Sequence, residues 1–203
     1  MHSRRRRYAL FALVYFAEGA ILSYFTALNA LYLLRFQVSL AQIGLMGTIA
    51  LIPFVLKIFL GILSDRVSLF GLGHRKPYMV LGILLQAVCL LIIPSINPGT
   101  HFWLFALTGF ILMSGQALYD TCTDGLALDT TQPEEEGAVQ GFMVGGRALG
   151  VVLISATVGL IAQNASWAAA FVTLAALTLL PLPFVLGVSE SPRPAARRFA
   201  RFR

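Results

Sequence analysis

Long apolar segments separated by short polar turns fill most of the sequence. A helix needs about 20 mainly apolar residues to cross the hydrocarbon core of a bilayer. The pattern predicts six such helices, called here predicted spans 1 to 6, at residues 8–34, 43–63, 78–96, 102–126, 138–161 and 167–188. Segments of about ten residues with alternating apolar and polar positions, typical of a membrane β-barrel, do not occur in the sequence. The predicted fold class is therefore all-α, an integral membrane six-helix bundle.

Composition supports the same class of protein. Of the 203 residues, 58% are hydrophobic and 12% are charged, and the mean hydropathy is +0.80. A soluble globular domain carries about 25% charged residues. We expect residues 1–188 to form one membrane bundle and residues 189–203 to form a basic tail or the beginning of a linker.

The basic residues indicate the orientation of the chain in the membrane. Four Arg residues precede predicted span 1, three Lys or Arg residues lie between predicted spans 2 and 3, and five Arg residues follow predicted span 6, whereas only Arg35 lies on the other side. Cytoplasmic loops are enriched in Lys and Arg. We therefore expect both termini to lie in the cytoplasm of a cell whose inner or plasma membrane holds this multi-pass protein. The net charge of +6 favours contact with anionic membrane lipid and requires no nucleic-acid partner.

Glu18 is the single acidic residue in the sequence of predicted span 1. Its position, ten residues into the helix, corresponds to a depth of about 15 Å at 1.5 Å per residue, near the middle of the bilayer. At helical spacing Tyr15, Glu18 and Asn29 share one broad face. A carboxyl group at that depth is costly unless it is paired or functional, so Glu18 is a candidate for proton coupling or substrate contact. The alternative is a protonated, purely structural glutamic acid.

Further charged residues occur inside predicted spans 2, 4 and 5. Asp120 and Asp124 are four residues apart and so share a helix face, on which Gln116 also lies. Arg147 lies at a depth similar to that of Asp120, and Lys57 lies six residues before the end of predicted span 2. We predict that Lys57, Arg147, Asp120 and Asp124 form one mutually neutralising network. A static structural ion-pair network is the competing interpretation.

The turn after predicted span 2 carries a recognisable motif. Gly61-x-x-x-Asp65-Arg66 followed by the basic residues Arg75 and Lys76 resembles the signature of the major facilitator superfamily of secondary transporters. Within it, the runs at 53–65 and 70–78 look most like the folate-biopterin transporter branch, and the glycoside-pentoside-hexuronide branch is a weaker match. Asp120-x-x-x-Asp124, Gly137, Gln140 and Gly150 also fit the folate-biopterin branch.

The resemblance implies one half of a twelve-helix fold, made of two inverted three-helix repeats around a central cavity. The chain is then a fragment, which we favour, or a half that pairs with a second copy. The resemblance also implies a gating role for the motif residues, which hold the cytoplasmic side shut by pairing with acids of predicted span 4. That assignment covers Gly61, Asp65, Arg66, Arg75, Lys76 and Asp124.

A secondary transporter that moves a small solute by alternating access, with protons as a candidate driving ion, is the function that the resemblance implies. We expect no enzymatic activity and no cofactor or metal. A membrane assembly or scaffold protein without transport activity is the alternative. A membrane-embedded phosphotransferase is less favoured, because the carboxylate spacing in Asp120-x-x-x-Asp124 differs by one residue from the signature of CDP-alcohol phosphotransferases and no second aspartate pair follows.

Overall fold

The computed structural model describes residues 4–69, 73–188 and 190, and every regular element within these residues is helical. Six segments of the described chain are long and apolar enough to cross a membrane, and we call them spans 1 to 6: Arg4–Arg35, Leu40–Arg66, Lys76–Ser95, Phe102–Thr130, Pro133–Asn164 and Trp167–Leu186. The predicted all-α six-span bundle is confirmed. Span ends differ from the predicted ends by at most five residues. Apart from Glu190, the predicted tail at 189–203 lies outside the described residues.

The spans are divided into shorter helical elements. The α-helices are α1 (Arg4–Ser23), α2 (Asn29–Arg35), α3 (Leu40–Val55), α4 (Lys57–Arg66), α5 (Lys76–Ile92), α6 (Phe102–Thr130), α7 (Glu136–Asn164), α8 (Trp167–Leu179) and α9 (Leu182–Leu186). A π-helical turn at Tyr24–Leu28 joins α1 to α2, and 3₁₀ turns occupy Ile93–Ser95 and Pro133–Glu135. Spans 3 and 5 begin with Pro in their first turn, where the missing N–H has no helical partner in any case.

Two spans are interrupted. Span 2 leaves helical geometry at Leu56, which has φ −86° and ψ 0°. Span 6 breaks between α8 and α9 at Pro181. Proline cannot donate its backbone hydrogen bond and crowds the preceding turn, so a helix bends or ends near it.

Three of the contacts between spans have the symmetry of two inverted repeats. Span 1 packs along span 5, and span 2 packs along span 4. The first repeat holds spans 1 to 3 and the second holds spans 4 to 6, so span 1 corresponds to span 4 and span 2 corresponds to span 5. The contact between spans 1 and 5 therefore corresponds to the contact between spans 4 and 2. Spans 3 and 6 also pack against each other, and their pairing is unchanged by the exchange. Three spans per repeat make the two repeats run in opposite directions across the membrane.

Glycines bring spans 1 and 5 into backbone contact. A Cβ atom added at Gly146 would collide with the backbone oxygen of Ala12, and one added at Gly150 would collide with that of Phe16. Gly137, Gly141 and Gly145 form a second repeat of small residues on span 5. Among the described residues nothing lies within 4 Å of a Cβ added at any of the three, and they lie on the exposed face of the helix.

Buried apolar side chains form two cores with a polar region between them. One core surrounds Tyr32, Phe105 and Phe171, and the other surrounds Phe11 and Met79. In span 1 the buried Glu18 lies between the two cores, with the second core on its N-terminal side and the first core on its C-terminal side. The fold therefore isolates a charged centre in the middle of an otherwise apolar bundle.

Candidate functional site

A cavity of about 570 Å³ opens between spans 1, 2, 4 and 5. Its polar lining consists of Tyr15, Glu18, Lys57, Gln116, Asp120, Asp124, Gln140 and Arg147. Phe54, Leu22 and Met113 are among its apolar lining residues. Because spans 1 and 2 belong to one repeat and spans 4 and 5 to the other, movement between the repeats would change the shape of this cavity.

Five charged residues of the lining form a connected network. Lys57 Nζ lies 2.7 Å from Asp120 Oδ2 and 3.7 Å from Asp124 Oδ2. Arg147 Nη2 lies 3.2 Å from Asp120 Oδ1 and is also paired with Glu18 Oε1. The structure thus brings together all four residues of the predicted network and adds Glu18, which the sequence placed on a neighbouring helix without a partner. These five residues and Tyr15 are called the central cluster.

Burial differs strongly among the charged groups of the central cluster. The side chains of Glu18 and Asp120 are 5% and 4% exposed, whereas those of Lys57, Arg147 and Asp124 are 36%, 39% and 41% exposed. Three carboxyl groups face two cations, so the cluster carries one negative charge in excess when every group is ionised. In an apolar bundle such an imbalance is costly and favours the uptake of one more cation or proton.

Tyr15 connects the cluster from the side of span 1. Its hydroxyl donates a hydrogen bond to Asp124 Oδ1, and the Arg147 guanidinium lies over its ring, 4.8 Å from the ring centroid. A cation over an aromatic face is attracted by the ring quadrupole. Tyr15 therefore contacts both an acid and a base of the cluster, in agreement with its predicted place on the Glu18 face.

Two buried acceptors at the cavity lack partners. Glu18 Oε2 and Gln116 Oε1 have no hydrogen-bond partner among the described residues, and the two residues are 4% and 2% exposed. A buried polar atom left without a hydrogen bond costs roughly 1–3 kcal/mol. The centre of the bundle thus holds acceptor groups suited to an additional donor.

Asn29 does not belong to this cavity, although the sequence places it on the same helix face as Glu18. The π-helical turn at Tyr24–Leu28 is the reason, since the Asn29 backbone N–H bonds to Tyr24 O, five residues back. A π turn inserts one extra residue and rotates the rest of the helix by about 100°. Asn29 instead accepts a hydrogen bond from the Tyr24 hydroxyl at 3.0 Å.

The motif residues form a separate cluster at the end of the bundle that carries the turn between spans 2 and 3. Arg75 Nη2 lies 2.7 Å from Asp65 Oδ1, and Arg75 Nε lies 3.6 Å from Asp129 Oδ2 at the end of span 4. Arg75 also donates to Ser64 Oγ at 2.9 Å. Gly61 allows this close approach of spans 2 and 4, because a Cβ there would lie 3.2 Å from Thr121 Cγ2.

Two members of the predicted gating set lie elsewhere. Asp124 belongs to the central cluster, and the acid of span 4 that meets the motif is Asp129, one further turn along the helix. Arg66 is exposed, and of the two motif arginines it is Arg75 that contacts span 4. Sequence spacing alone does not distinguish which of several acids on one helix face reaches a given turn.

A further contact at this end was not foreseen from the sequence. The Glu190 carboxylate accepts hydrogen bonds from the backbone N–H groups of His74, Arg75 and Lys76, the first at 2.7 Å. Lys76 Nζ in turn donates to the backbone oxygens of Leu186 and Val188, at 2.5 and 3.3 Å. The carboxylate caps the start of span 3 and the ammonium group caps the end of span 6, which are the helix termini that each charge stabilises.

Comparisons with known proteins agree with this architecture. A model of the Major Facilitator Superfamily matches residues 9–202. The chain is 27% identical over 162 residues to the probable folate-biopterin transporter 7 of Arabidopsis thaliana, a match covering 77% of this chain and 36% of that protein. It is 27% identical over 182 residues to the folate-biopterin transporter of Synechocystis sp., a match covering 87% of this chain and 36% of that protein.

A bacterial relative of another name is also similar. The putative transporter AmpG 2 of Rickettsia typhi is 23% identical over 176 residues, a match covering 86% of this chain and 41% of that protein. The chain therefore spans well under half the length of these curated relatives. The resemblance read from the sequence motifs is confirmed: the chain belongs to the Major Facilitator Superfamily, and its similarity within that superfamily extends to the folate-biopterin transporters.

Proposed function

We propose that this chain is a transporting unit of a secondary carrier that moves a small solute across a membrane by alternating access. The observation that carries the proposal is the central cluster, in which charged residues from both inverted repeats surround one cavity. In transporters built from inverted repeats, solute and coupling-ion sites lie near the bilayer midplane where the repeats meet. A non-transporting scaffold has no need for five charged side chains at that depth.

The carrier is completed by a second bundle, which we propose is either a further six-helix half or a second copy of this chain. Spans 2 and 5 are the least buried spans of the bundle, and they flank the cavity. Lys57, Asp124 and Arg147 are more than one third exposed there. Charged groups at such a depth need protein or water around them, which lipid does not supply.

Orientation is a further part of the proposal. The contacts of Glu190 and Lys76 place the turn between spans 2 and 3 at the same end of the bundle as the end of span 6. The Arg-rich start of span 1 lies at this end too, because Arg7 donates to the backbone oxygen of Thr130, next to the Asp129 that contacts Arg75. The excess of basic residues at this end assigns it to the cytoplasm. Both ends of the sequence then face the cytoplasm.

The geometry of Glu18 and Asp120 supports proton coupling. One nitrogen atom, Arg147 Nη2, contacts both carboxyl groups, and Glu18 Oε2 has no other hydrogen-bond partner in the described part of the chain. Two carboxyl groups that share one site hold a proton between them more readily than two charges. We infer that this shared proton neutralises the cluster and is the ion that drives transport.

Biopterin is the first solute to test, because two of the relatives are named folate-biopterin transporters. Cells expressing the longest reading frame that contains this sequence are tested for biopterin uptake driven by a proton gradient. We expect Glu18→Gln to retain exchange of biopterin across the membrane and to lose accumulation, since the amide keeps hydrogen bonding and cannot titrate. Uptake that does not depend on the protein would favour the scaffold interpretation, and unimpaired accumulation by Glu18→Gln would remove Glu18 from the coupling step.

A further inference from the structure

The carboxyl groups of the central cluster form a graded series from exposed to buried. Asp124 is 41% exposed at the cavity, and Asp120 and Glu18 are 4% and 5% exposed. A cation lies between each pair of neighbours in the series, Lys57 between Asp124 and Asp120 and Arg147 between Asp120 and Glu18. All three line the same cavity, and the exposed end of the series is the one with the largest contact with cavity water.

The two cations differ in what they are able to do. An ammonium group is able to release one proton to a carboxylate and then to take up another on the freed lone pair, whereas a guanidinium group stays protonated in proteins. Lys57 Nζ lies within 2.7 Å of one acid and 3.7 Å of the other. Arg147 instead holds Asp120 and Glu18 against a single nitrogen atom. Lys57 is thus placed to transfer a proton, and Arg147 is placed to fix the pair that receives it.

The geometry points to a proton relay in which Asp124 takes a proton from water in the cavity and Lys57 passes it to the Asp120 and Glu18 pair; this inference rests on the proposed proton coupling. In the first step an N–H bond of Lys57 breaks and its proton moves to Asp120 Oδ2, which leaves Lys57 as a neutral amine with a lone pair. In the second step the Asp124 carboxyl O–H bond breaks and its proton moves to that lone pair on Lys57 Nζ. Asp124 ends as a carboxylate, Asp120 ends as a carboxylic acid, and Lys57 remains an ammonium ion.

Spans 1, 4 and 5 contribute the other ionisable side chains that surround Lys57, Asp120 and Asp124. Span 1 contributes Tyr15, whose hydroxyl occupies Asp124 Oδ1 and leaves Oδ2 facing Lys57, and it also contributes Glu18. Span 5 contributes Arg147. Tyr119 of span 4 donates its hydroxyl to the backbone oxygen of Val14 at 3.2 Å, so its proton is already engaged. Within the described residues, Lys57 is the cation that lies within 4 Å of both Asp124 and Asp120.

The test measures protonation directly and needs no solute. The purified chain in lipid nanodiscs receives a light-released caged proton, and time-resolved infrared spectroscopy follows the carboxylic-acid C=O band of the buried pair. Lys57→Arg keeps the positive charge and removes the transferable proton, and Asp124→Asn removes the entry group. We expect Lys57→Arg to form the band about a hundredfold more slowly than the unmodified chain, the low end of what proton transfer by a positioned side chain contributes. Asp124→Asn removes the excess negative charge together with the entry group and should lose the band. Lys57→Arg should reach the same final amplitude.

Matched variants separate the possible results. Glu134→Gln alters an exposed acid outside the central cluster and should leave rate and amplitude unchanged. If Lys57→Arg forms the band at the rate of the unmodified chain, or loses the final amplitude, the relay through Lys57 is rejected. Glu18→Gln should abolish the band. A band of full size in Glu18→Gln would reject the shared proton, and with it the coupling part of the proposed function. If Glu18→Gln loses the band but Lys57→Arg forms it at an unchanged rate, the relay alone is rejected.

Discussion

The contact between spans 1 and 5 gives a sharp test of the packing, because the same helix carries a buried and an exposed glycine. A Cβ at Gly146 would collide with the Ala12 backbone oxygen, whereas one at Gly141 would meet nothing within 4 Å. A backbone atom cannot rotate out of the way as a side chain can. We therefore expect Gly146→Ala to separate spans 1 and 5 locally and Gly141→Ala to leave the packing intact.

The size of the effect follows from two opposing contributions. Replacing Gly by Ala inside a helix stabilises it by roughly 0.5–1 kcal/mol. Overpacking a tight contact typically costs about 1–3 kcal/mol. Gly141→Ala receives only the first contribution, and Gly146→Ala receives both. Because the helix contribution cancels between the two variants, Gly146→Ala should be less stable than Gly141→Ala by about 1–3 kcal/mol.

The measurement is reversible unfolding of the two variants by a denaturing detergent in mixed micelles, followed by circular dichroism. The unmodified chain should lie between the two variants, with Gly141→Ala at or above it. Equal stability of Gly146→Ala and Gly141→Ala would show that the backbones of spans 1 and 5 are not in contact. A loss in Gly141→Ala alone would show that the exposed glycines form the interface instead.

Three further predictions address other parts of the structure. Asp120→Asn should destabilise the bundle by about 1–2 kcal/mol in the same unfolding assay, because Lys57 and Arg147 lose the acid that they share and keep only Asp124 and Glu18 as partners; unchanged stability would show that the shared acid is dispensable. Glu190→Ala should cost about 1–2 kcal/mol, as loss of a helix cap does, and amide hydrogen exchange should rise at the start of span 3; unchanged exchange there would show that the cap is dispensable. Ser68→Cys should resist an impermeant thiol reagent added outside intact cells, and its labelling would reverse the proposed orientation.

The sequence by itself determined the fold class and the family. Six apolar segments of bilayer length leave the backbone no alternative to helices in lipid, where every N–H and C=O must be paired within its own segment. The Gly61 to Lys76 motif indicated the superfamily before any packing was known. Depth along a helix also follows from sequence at 1.5 Å per residue, and this is why Lys57, Asp120 and Arg147 could be assigned to one network.

Only the tertiary structure decided which polar groups meet. Asn29 leaves the Glu18 face because a single π turn shifts the register of span 1, a local departure that apolar periodicity does not encode. The glycines of span 5 recur every four residues on two faces of the helix, yet only Gly146 and Gly150 pack against span 1. Gly137, Gly141 and Gly145 lie on a face that does not contact span 1. Glu18 acquires Arg147, and Glu190 reaches the start of span 3, across 129 and 114 residues of chain. Such pairings depend on the rotation and separation of whole helices, which packing between helices sets and spacing along one helix does not.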